Sequence, residues 1–305
     1  MSNPSFIYFG GEPIGIPVLE ELAANDLLPQ LIICSPDKPV GRKQVVTPPP
    51  VKVWAQQHAI DVWQPETWRG DQIQAVAQAK LAAYEVDLYV VAAYNHILPQ
   101  WLIDLAPQGV INVHPSLLPK LRGASPIRTA IKDNLPADIG ASIMLLDAEM
   151  DHGPLLAQEA LPISDSKWPL PGPELDEALG HLGGALLADT LPRYLAGEIV
   201  VNEQDHHAAT YCSRLTKADS QLELDPCALP RGEAARHAWR VINAFIGMGD
   251  AWFEYRGTRI KINEAQLVND QLRLVTITPA GKPPQSFSTW HQANCTGSNT
   301  HSGLL

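Results

Sequence analysis

Long hydrophobic runs are absent from the 305-residue sequence, and none approaches the roughly 18 residues that a membrane-spanning helix needs. The first residues, MSNPSFIYFGGEP, lack a basic segment followed by a long apolar stretch, so they do not resemble a signal peptide. We therefore expect a cytoplasmic protein without a membrane partner, long enough for one large or two ordinary domains.

Cysteine is scarce, and its spacing excludes two classes of small scaffold. The four cysteines are spread along the chain without a CxxC pair: Cys34, Cys212, Cys227 and Cys295. This argues against a disulfide framework and against a zinc site with cysteine ligands. The ten histidines show no metal-ligand spacing either. We expect four free thiols and no bound metal.

Positive charge is also scarce, since the formal net charge is −11, which opposes a nucleic-acid partner. Residues 206–305 contain ten Lys/Arg and eight Asp/Glu, whereas the first 205 residues contain 12 and 25. This imbalance either has no functional meaning or separates an acidic catalytic body from a C-terminal module that tolerates phosphates.

Apolar runs of strand length alternate with helical patterns over the first 200 residues. The runs are FIYFGG, LIICS, DLYVVAAY and VINVH, and the helical patterns cover 16–24, 50–60, 75–83 and 98–105. Continuous apolar strands separated by helices predict an α/β fold with a Rossmann-like, mostly parallel sheet covered on both faces. Ligands of such sheets bind at the carboxyl ends of the strands.

The polar stretch 199–209 predicts a domain boundary, because a long helical pattern before it ends at Gly197. We expect a catalytic domain over 1–200 and a smaller domain over 206–305. Short strand-like segments such as AWFEY, RIKINEAQLV and LRLVTITP predict a small β-barrel, OB-like, or a sandwich in the second domain.

Two polar side chains sit on the predicted strand VINVH. Asn112 and His114 are two residues apart, so their side chains leave the same face of the strand. An amide and an imidazole together suit the stabilisation of negative charge on an acyl oxygen, and the imidazole can also move a proton. A structural role is the alternative for such a pair.

A carboxylate for this pair is expected from IMLLDAEMDHGPLL (143–156). Asp151 stands in an apparent turn before a glycine, where it could orient the imidazole of His114 and accept a proton. A plain turn residue is the alternative. Asp147 is a rival carboxylate that the pattern alone leaves open.

The segment NVHPSLLPKLRGASPI (112–127) resembles the methionyl-tRNA formyltransferase family and its relatives. The likeness also covers residues 35–60, 92–102 and 210–225, so it spans nearly the whole chain. It implies a formyltransferase domain, 10-formyltetrahydrofolate as co-substrate, no metal, initiator methionyl-tRNA as partner and a monomer.

Carried over residue by residue, the resemblance implies that Asn112, His114 and Asp151 are catalytic. The C-terminal domain would contact tRNA. The implied folate-contacting residues are Ser116, Leu117, Leu118, Pro119, Ala92, Tyr94 and Ile97, and the implied tRNA loop carries Lys38, Arg42 and Lys43.

Some residues depart from the family pattern. Glu12-Pro13 replaces the usual Thr-Pro, Arg128 stands where Gln is frequent, and AFIGMGDAW (244–252) replaces a Pro-Trp turn.

Rival activities share the predicted chemistry or the predicted sheet. The same formyl transfer could act on a nucleotide-linked amino sugar or on glycinamide ribonucleotide, or the chain could be a non-catalytic RNA-binding relative. FGGEPIG is neither a GxGxxG fingerprint nor a P-loop, which argues against a nicotinamide-dependent dehydrogenase.

Overall fold

Two compact units make up the part of the chain that the structure describes, residues 3–41 and 43–295 of a computed structural model. Of these residues, the first unit contains those up to Pro126, Ala137–Pro162 and Asp176–Cys212, and the second contains Ile127–Pro136, Ile163–Leu175 and those from Ser213 to Cys295. The sequence-based division into 1–200 and 206–305 stays a prediction about independent domains.

Strands alternate with helices through the first unit. The elements of both units are numbered together in chain order. The strands are β1 (Phe6–Gly10), β2 (Leu31–Ile33), β3 (Lys38–Val40), β4 (Val45–Thr47), β5 (Asp61–Trp63), β6 (Leu88–Ala92), β7 (Val110–His114), β8 (Arg122–Gly123), β9 (Gly140–Leu145), β10 (Leu155–Ala160), β11 (Tyr211–Cys212), β12 (Trp252–Tyr255), β13 (Thr258–Val268), β14 (Gln271–Pro279) and β15 (Gln285–Ser286). The helices are α1 (Gly15–Ala24), α2 (Pro50–Gln57), α3 (Asp71–Leu81), α4 (Gln100–Ile103), α5 (Pro126–Asp133), α6 (Gly172–Leu195), α7 (Glu233–Phe245) and α8 (Phe287–Cys295).

A seven-stranded sheet forms the centre of the first unit, in the order β10-β9-β7-β6-β1-β2-β5. Five neighbouring strands run parallel to one another: β7, β6, β1, β2 and β5. Strand β9 is antiparallel to β7, and β10 is antiparallel to β9. The predicted mostly parallel sheet is therefore confirmed, with an antiparallel edge.

Both faces of this sheet are covered by apolar side chains. Phe6 and Tyr8 pack with residues of α1 and α6, whereas Ile7 and Phe9 pack with residues of α3 and α4. Because successive strand residues point to opposite faces, a strand buried on both faces reads as a continuous apolar run. This explains the pattern FIYFG.

Helix α6 approaches the sheet closely at a glycine. A Cβ placed on Gly183 would lie 2.6 Å from a side-chain carbon of Val113 in β7, so only glycine fits without a shift. The helix ends before Gly197, whose φ of +71° suits a C-terminal glycine. The close packing fixes the strand that carries Asn112 and His114.

The second unit contains a four-stranded antiparallel sheet in the order β12-β13-β14-β15. Helix α7 packs on β13 and β14, and α8 packs on β14 and β15. This arrangement agrees with the predicted small barrel-like module. Within the described ranges, no helix has the length and apolar character to cross a bilayer.

The expectation of four free thiols is wrong, because Cys227 and Cys295 form a disulfide. The two residues are 68 positions apart in the chain, yet their Cα atoms lie 5.3 Å apart. The Tyr255 hydroxyl donates to the carbonyl of Asn294 and its ring packs edge-on against Trp290, so α8 is held beside β12. Sequence spacing cannot reveal such a tertiary approach. Cys34 and Cys212 are buried and belong to no disulfide.

Replacing Cys227 with serine is expected to lower the free energy of unfolding of the oxidised protein by roughly 4 kcal/mol, because the disulfide closes a long loop. Thermal unfolding with and without a thiol reductant measures this. Reductant should lower the melting temperature of the wild type and leave that of Cys227→Ser unchanged. Equal melting temperatures for both oxidised proteins would contradict the pairing.

Candidate active site

Asn112 and His114 lie at the end of β7, on the same face of the central sheet. Ile111, which precedes Asn112, and Val113, which separates it from His114, belong to the core under α1 and α6, so the two polar side chains point to the opposite face. Asn112 is 9% exposed and His114 is 4% exposed. Burial of two polar side chains at a strand end is costly unless they have partners or a ligand.

Asp151 is carried by the loop 146–154 that joins β9 to β10. Its backbone has a φ of +53°, which is uncommon for a residue other than glycine. A Cβ on Gly153 would lie 2.0 Å from the carbonyl oxygen of Leu145, so the turn requires glycine at this position. The Asp-His-Gly sequence therefore serves a tight turn, as its pattern indicates.

The turn brings the Asp151 carboxylate to the imidazole of His114. Asp151 Oδ1 lies 3.5 Å from His114 Nδ1, and Asp151 Oδ2 accepts a hydrogen bond of 2.7 Å from the backbone N–H of Gly123. On its other side, His114 Nε2 lies 3.2 Å from the carbonyl oxygen of Leu121, to which it can only donate. Oxygen acceptors thus face both ring nitrogens.

The rival carboxylate has a different partner. Asp147 Oδ2 accepts a hydrogen bond of 2.7 Å from His152 Nδ1. His152 in turn stacks on His206 with ring centroids 4.0 Å apart. The structure therefore brings Asp151, rather than Asp147, to His114.

The side-chain amide of Asn112 forms no hydrogen bond with any other residue in the described part of the chain. Its backbone is paired within the sheet, opposite Val91 on β6 and Met144 on β9. A nearly buried amide without a protein partner can offer its N–H groups to a ligand. The same face of β7 thus presents this amide beside the His114–Asp151 pair.

The formyl transferase family model matches residues 6–168, more than half of the chain. The methionyl-tRNA formyltransferase of Chloroflexus aggregans is 34% identical over an alignment of 309 residues. The alignment covers 93% of this chain and 95% of that protein. The chain belongs to the formyl transferase family. The resemblance seen in the sequence is thereby confirmed.

Solved structures of formyl transferases share this fold. A sugar N-formyltransferase from a Shewanella species superimposes with a TM-score of 0.61 at 19% identity, covering 87% of this chain and 99% of that one. The methionyl-tRNA formyltransferase from Clostridium thermocellum gives a TM-score of 0.56 at 13% identity, covering 90% and 98%. At these identities the likeness concerns the fold alone.

The segment predicted to contact folate in this formyl transferase lies directly after β7. Ser116 is fully buried, and its hydroxyl donates to the carbonyl of Lys120 at 2.6 Å. Leu118 is also buried, and its backbone N–H donates to the hydroxyl of Ser142. Leu117 and Pro119 are partly exposed. Ser116 therefore shapes the loop, and folate contact by the segment stays a prediction.

The end of β6 supplies the other residues predicted for the folate pocket. Ala92 is buried, and Tyr94 is partly buried with its hydroxyl accepting from Trp68 Nε1 at 2.9 Å. Ile97 is 81% exposed, although it is a large apolar residue. An exposed apolar side chain that follows the end of β6 suits contact with a flat heteroaromatic ligand.

The loop predicted to contact tRNA is an exposed hairpin formed by β3 and β4. Lys38 and Lys43 are exposed on it, together with three exposed valines. Arg42 lies outside the described residues. The placement of Lys38 and Lys43 is compatible with phosphate contact.

Two departures from the family pattern acquire partners in the structure. The Glu12 carboxylate accepts a hydrogen bond from the side-chain amide of Asn95, at the ends of β1 and β6. Arg128, buried in the second unit, donates to the carbonyl of Gly172 at 3.0 Å. Neither of these hydrogen bonds involves His114.

Ser35 and His96 form a further polar pair at the ends of β2 and β6 that the sequence did not indicate. Ser35 Oγ lies 3.1 Å from His96 Nε2. Burial, with the nearby Lys38 ammonium, lowers the pKa of His96. A neutral imidazole at neutral pH can therefore accept from the serine hydroxyl.

Arg122 and Gln204 were also missed by sequence reasoning. Both are buried, and they are connected by hydrogen bonds to the turn that carries Asp151. The arginine lies inside the family-like segment, but nothing in the sequence links it to a glutamine 82 positions away. No group of three or more His, Cys, Asp or Glu that could hold a metal occurs in the described ranges.

Proposed function

We propose that this formyl transferase transfers the formyl group of 10-formyltetrahydrofolate to the α-amino group of methionine on initiator methionyl-tRNA. The product is N-formylmethionyl-tRNA for translation initiation in the cytoplasm. The observation that carries the proposal is the His114–Asp151 pair beside the unpartnered Asn112 amide on one face of β7. The near full-length similarity to a methionyl-tRNA formyltransferase supports methionyl-tRNA as the acceptor.

The formyl oxygen would be held by hydrogen-bond donors on β7. As the amine attacks the formyl carbon, the carbonyl oxygen gains negative charge, which the Asn112 amide and the His114 Nε2–H can stabilise. In the present arrangement the Leu121 carbonyl accepts from Nε2, so the substrate oxygen takes over this donor. The placement of two donors on one strand face supports this role.

Proton movement falls to His114 and Asp151. The attacking amine must lose a proton when its bond to the formyl carbon forms, and N10 of the folate gains a proton as its bond to that carbon breaks. Asp151 accepts the amine proton directly or through water, and this proton passes on to N10 as its bond to the formyl carbon breaks, which regenerates the carboxylate. His114 faces Asp151 through Nδ1 and donates from Nε2 to the oxyanion. No covalent enzyme intermediate is needed.

Binding of tRNA would use a basic cleft in the second unit. The cleft has a volume of about 550 Å³ and is lined by Lys217, Arg259, Lys261 and Lys282 among other residues. Lys261 is paired with Asp250 at 2.8 Å, and the guanidinium of Arg259 lies over the ring of Trp252 at 4.4 Å. Cations held in place around a cleft suit phosphate groups, despite the negative net charge of the whole chain.

Replacing Arg259 with alanine is expected to raise KM for charged initiator tRNA roughly tenfold, since a charged hydrogen bond to phosphate is lost, with kcat nearly unchanged. The dependence of log KM on log salt should become shallower by about one. Arg256→Ala is the matched control, because Arg256 also lies over a ring, that of Tyr255, but does not line the cleft. Equal effects of both substitutions would exclude the cleft.

The acceptor is tested by competition. Purified protein receives 10-formyltetrahydrofolate with charged initiator tRNA, an amino-sugar nucleotide and glycinamide ribonucleotide, separately and together. We expect formylated product on methionyl-tRNA. Formylation of only one of the small acceptors would replace the proposed acceptor, and tRNA binding without any formylation would indicate a non-catalytic RNA-binding protein.

A further inference from the structure

Arg122 is a buried arginine whose guanidinium is directed at one amide. It is 1% exposed, and its Nε and Nη2 groups donate to Gln204 Oε1 at 3.1 and 2.6 Å. Nη2 also donates to His206 Nδ1 at 2.9 Å. A guanidinium can only donate, so the oxygen of the Gln204 side chain must face it. The orientation of the amide is therefore fixed.

The other end of this amide supports the turn that carries Asp151. Gln204 Nε2 donates to the carbonyl oxygen of Asp151 at 3.0 Å and to that of Gly153 at 2.7 Å. Gln204 is 4% exposed, so water does not readily replace these bonds. Two backbone carbonyls of one turn thus depend on a single side chain.

The Asp151 side chain in this turn is bonded to Gly123, the residue next to Arg122. The backbone N–H of Gly123 donates to Asp151 Oδ2, and β8, which contains both residues, pairs with β11. A Cβ on Gly123 would lie 2.1 Å from the carbonyl oxygen of Cys212, so this contact admits only glycine. Arg122, Gln204, Asp151 and Gly123 therefore form a closed ring of covalent and hydrogen bonds.

We propose that Arg122 and Gln204 are positioning residues for formyl transfer, which hold the Asp151 carboxylate against His114. The inference rests on the proposed function, and it adds two residues that touch no substrate. Asp151 has a positive φ and only one carboxylate oxygen bonded to the protein backbone, so the turn needs support to keep Oδ1 at 3.5 Å from the imidazole. Misplacement of a catalytic group by about 1 Å can cost 10²-fold in rate.

Gln204→Glu tests this role with a nearly isosteric change. The carboxylate keeps an acceptor for Arg122 but offers no hydrogen to the two carbonyls, which it repels. We expect kcat for formyl transfer to fall about 10–100-fold, with KM for folate and for tRNA within about twofold. Arg122→Lys retains the charge but cannot present two donors to one oxygen, so its kcat should also fall. Gln78→Glu, an exposed glutamine on α3, should match the wild type.

A purely structural role is separated from positioning by the double variant Asp151→Asn/Gln204→Glu. If Gln204 acts through Asp151, the double variant has the kcat of Asp151→Asn alone within about twofold. A fall by the product of the two single factors would overturn the inference, as would wild-type kcat in folded Gln204→Glu. A wild-type protein that formylates no acceptor would instead overturn the proposed function and, with it, the inference.

Discussion

Replacing His114 with alanine lowers kcat for formyl transfer by about 10²–10⁴-fold in our account, the range associated with loss of a general acid or base. The imidazole supplies the Nε2 donor for the oxyanion, and its Nδ1 faces Asp151 at 3.5 Å. Because His114 is buried at a strand end and is not part of either apolar core, the variant should retain its fold.

Initial rates of methionyl-tRNA formylation measure the effect, with circular dichroism to verify folding. His207→Ala is a suitable control, since His207 is an exposed histidine of the same unit that has no side-chain bond to this centre. Wild-type turnover in a folded His114→Ala protein would remove His114 from the mechanism.

Asp151→Asn is expected to lower kcat by a similar factor, about 10²–10⁴-fold, although the side chain keeps its shape. An asparagine can still accept from the backbone N–H of Gly123, but it has no negative charge beside the His114 imidazole and cannot accept the amine proton. The loss should appear in kcat with little change in KM for either substrate.

Asp147→Asn provides the matched control for Asp151→Asn. Asp147 is a carboxylate of the same loop, but its partner is the partly exposed His152. Exposed ion pairs of this kind contribute little to the free energy of folding. Its kcat should stay within about threefold of the wild type. If Asp147→Asn abolishes turnover while Asp151→Asn does not, the two carboxylates exchange roles.

The central sheet could be predicted from the sequence because burial on both faces leaves a simple pattern. FIYFG and VINVH are strands with every residue buried, and the structure places both in the sheet. The pairing of Asn112 with His114 on one face follows from strand periodicity alone. These features are local, so one sequence suffices to reveal them.

The support of the site could not be predicted because it depends on residues far apart in the chain. Gln204 meets the Asp151 turn across 53 positions, and a buried glutamine has no pattern that distinguishes it from an exposed one. The disulfide between Cys227 and Cys295 was missed for the same reason, since α8 must first pack beside the sheet. The contact between Glu12 and Asn95 likewise requires β1 and β6 to be neighbours.

The catalytic roles of Asn112, His114 and Asp151 remain our proposal, and the most direct test is a double-variant cycle of His114 and Asp151 in single-turnover formylation of methionyl-tRNA. If the imidazole and the carboxylate act as one unit on the formyl carbon, His114→Ala/Asp151→Asn should react as slowly as the slower single variant, within about threefold. A rate reduced by the product of the two single effects would contradict the account.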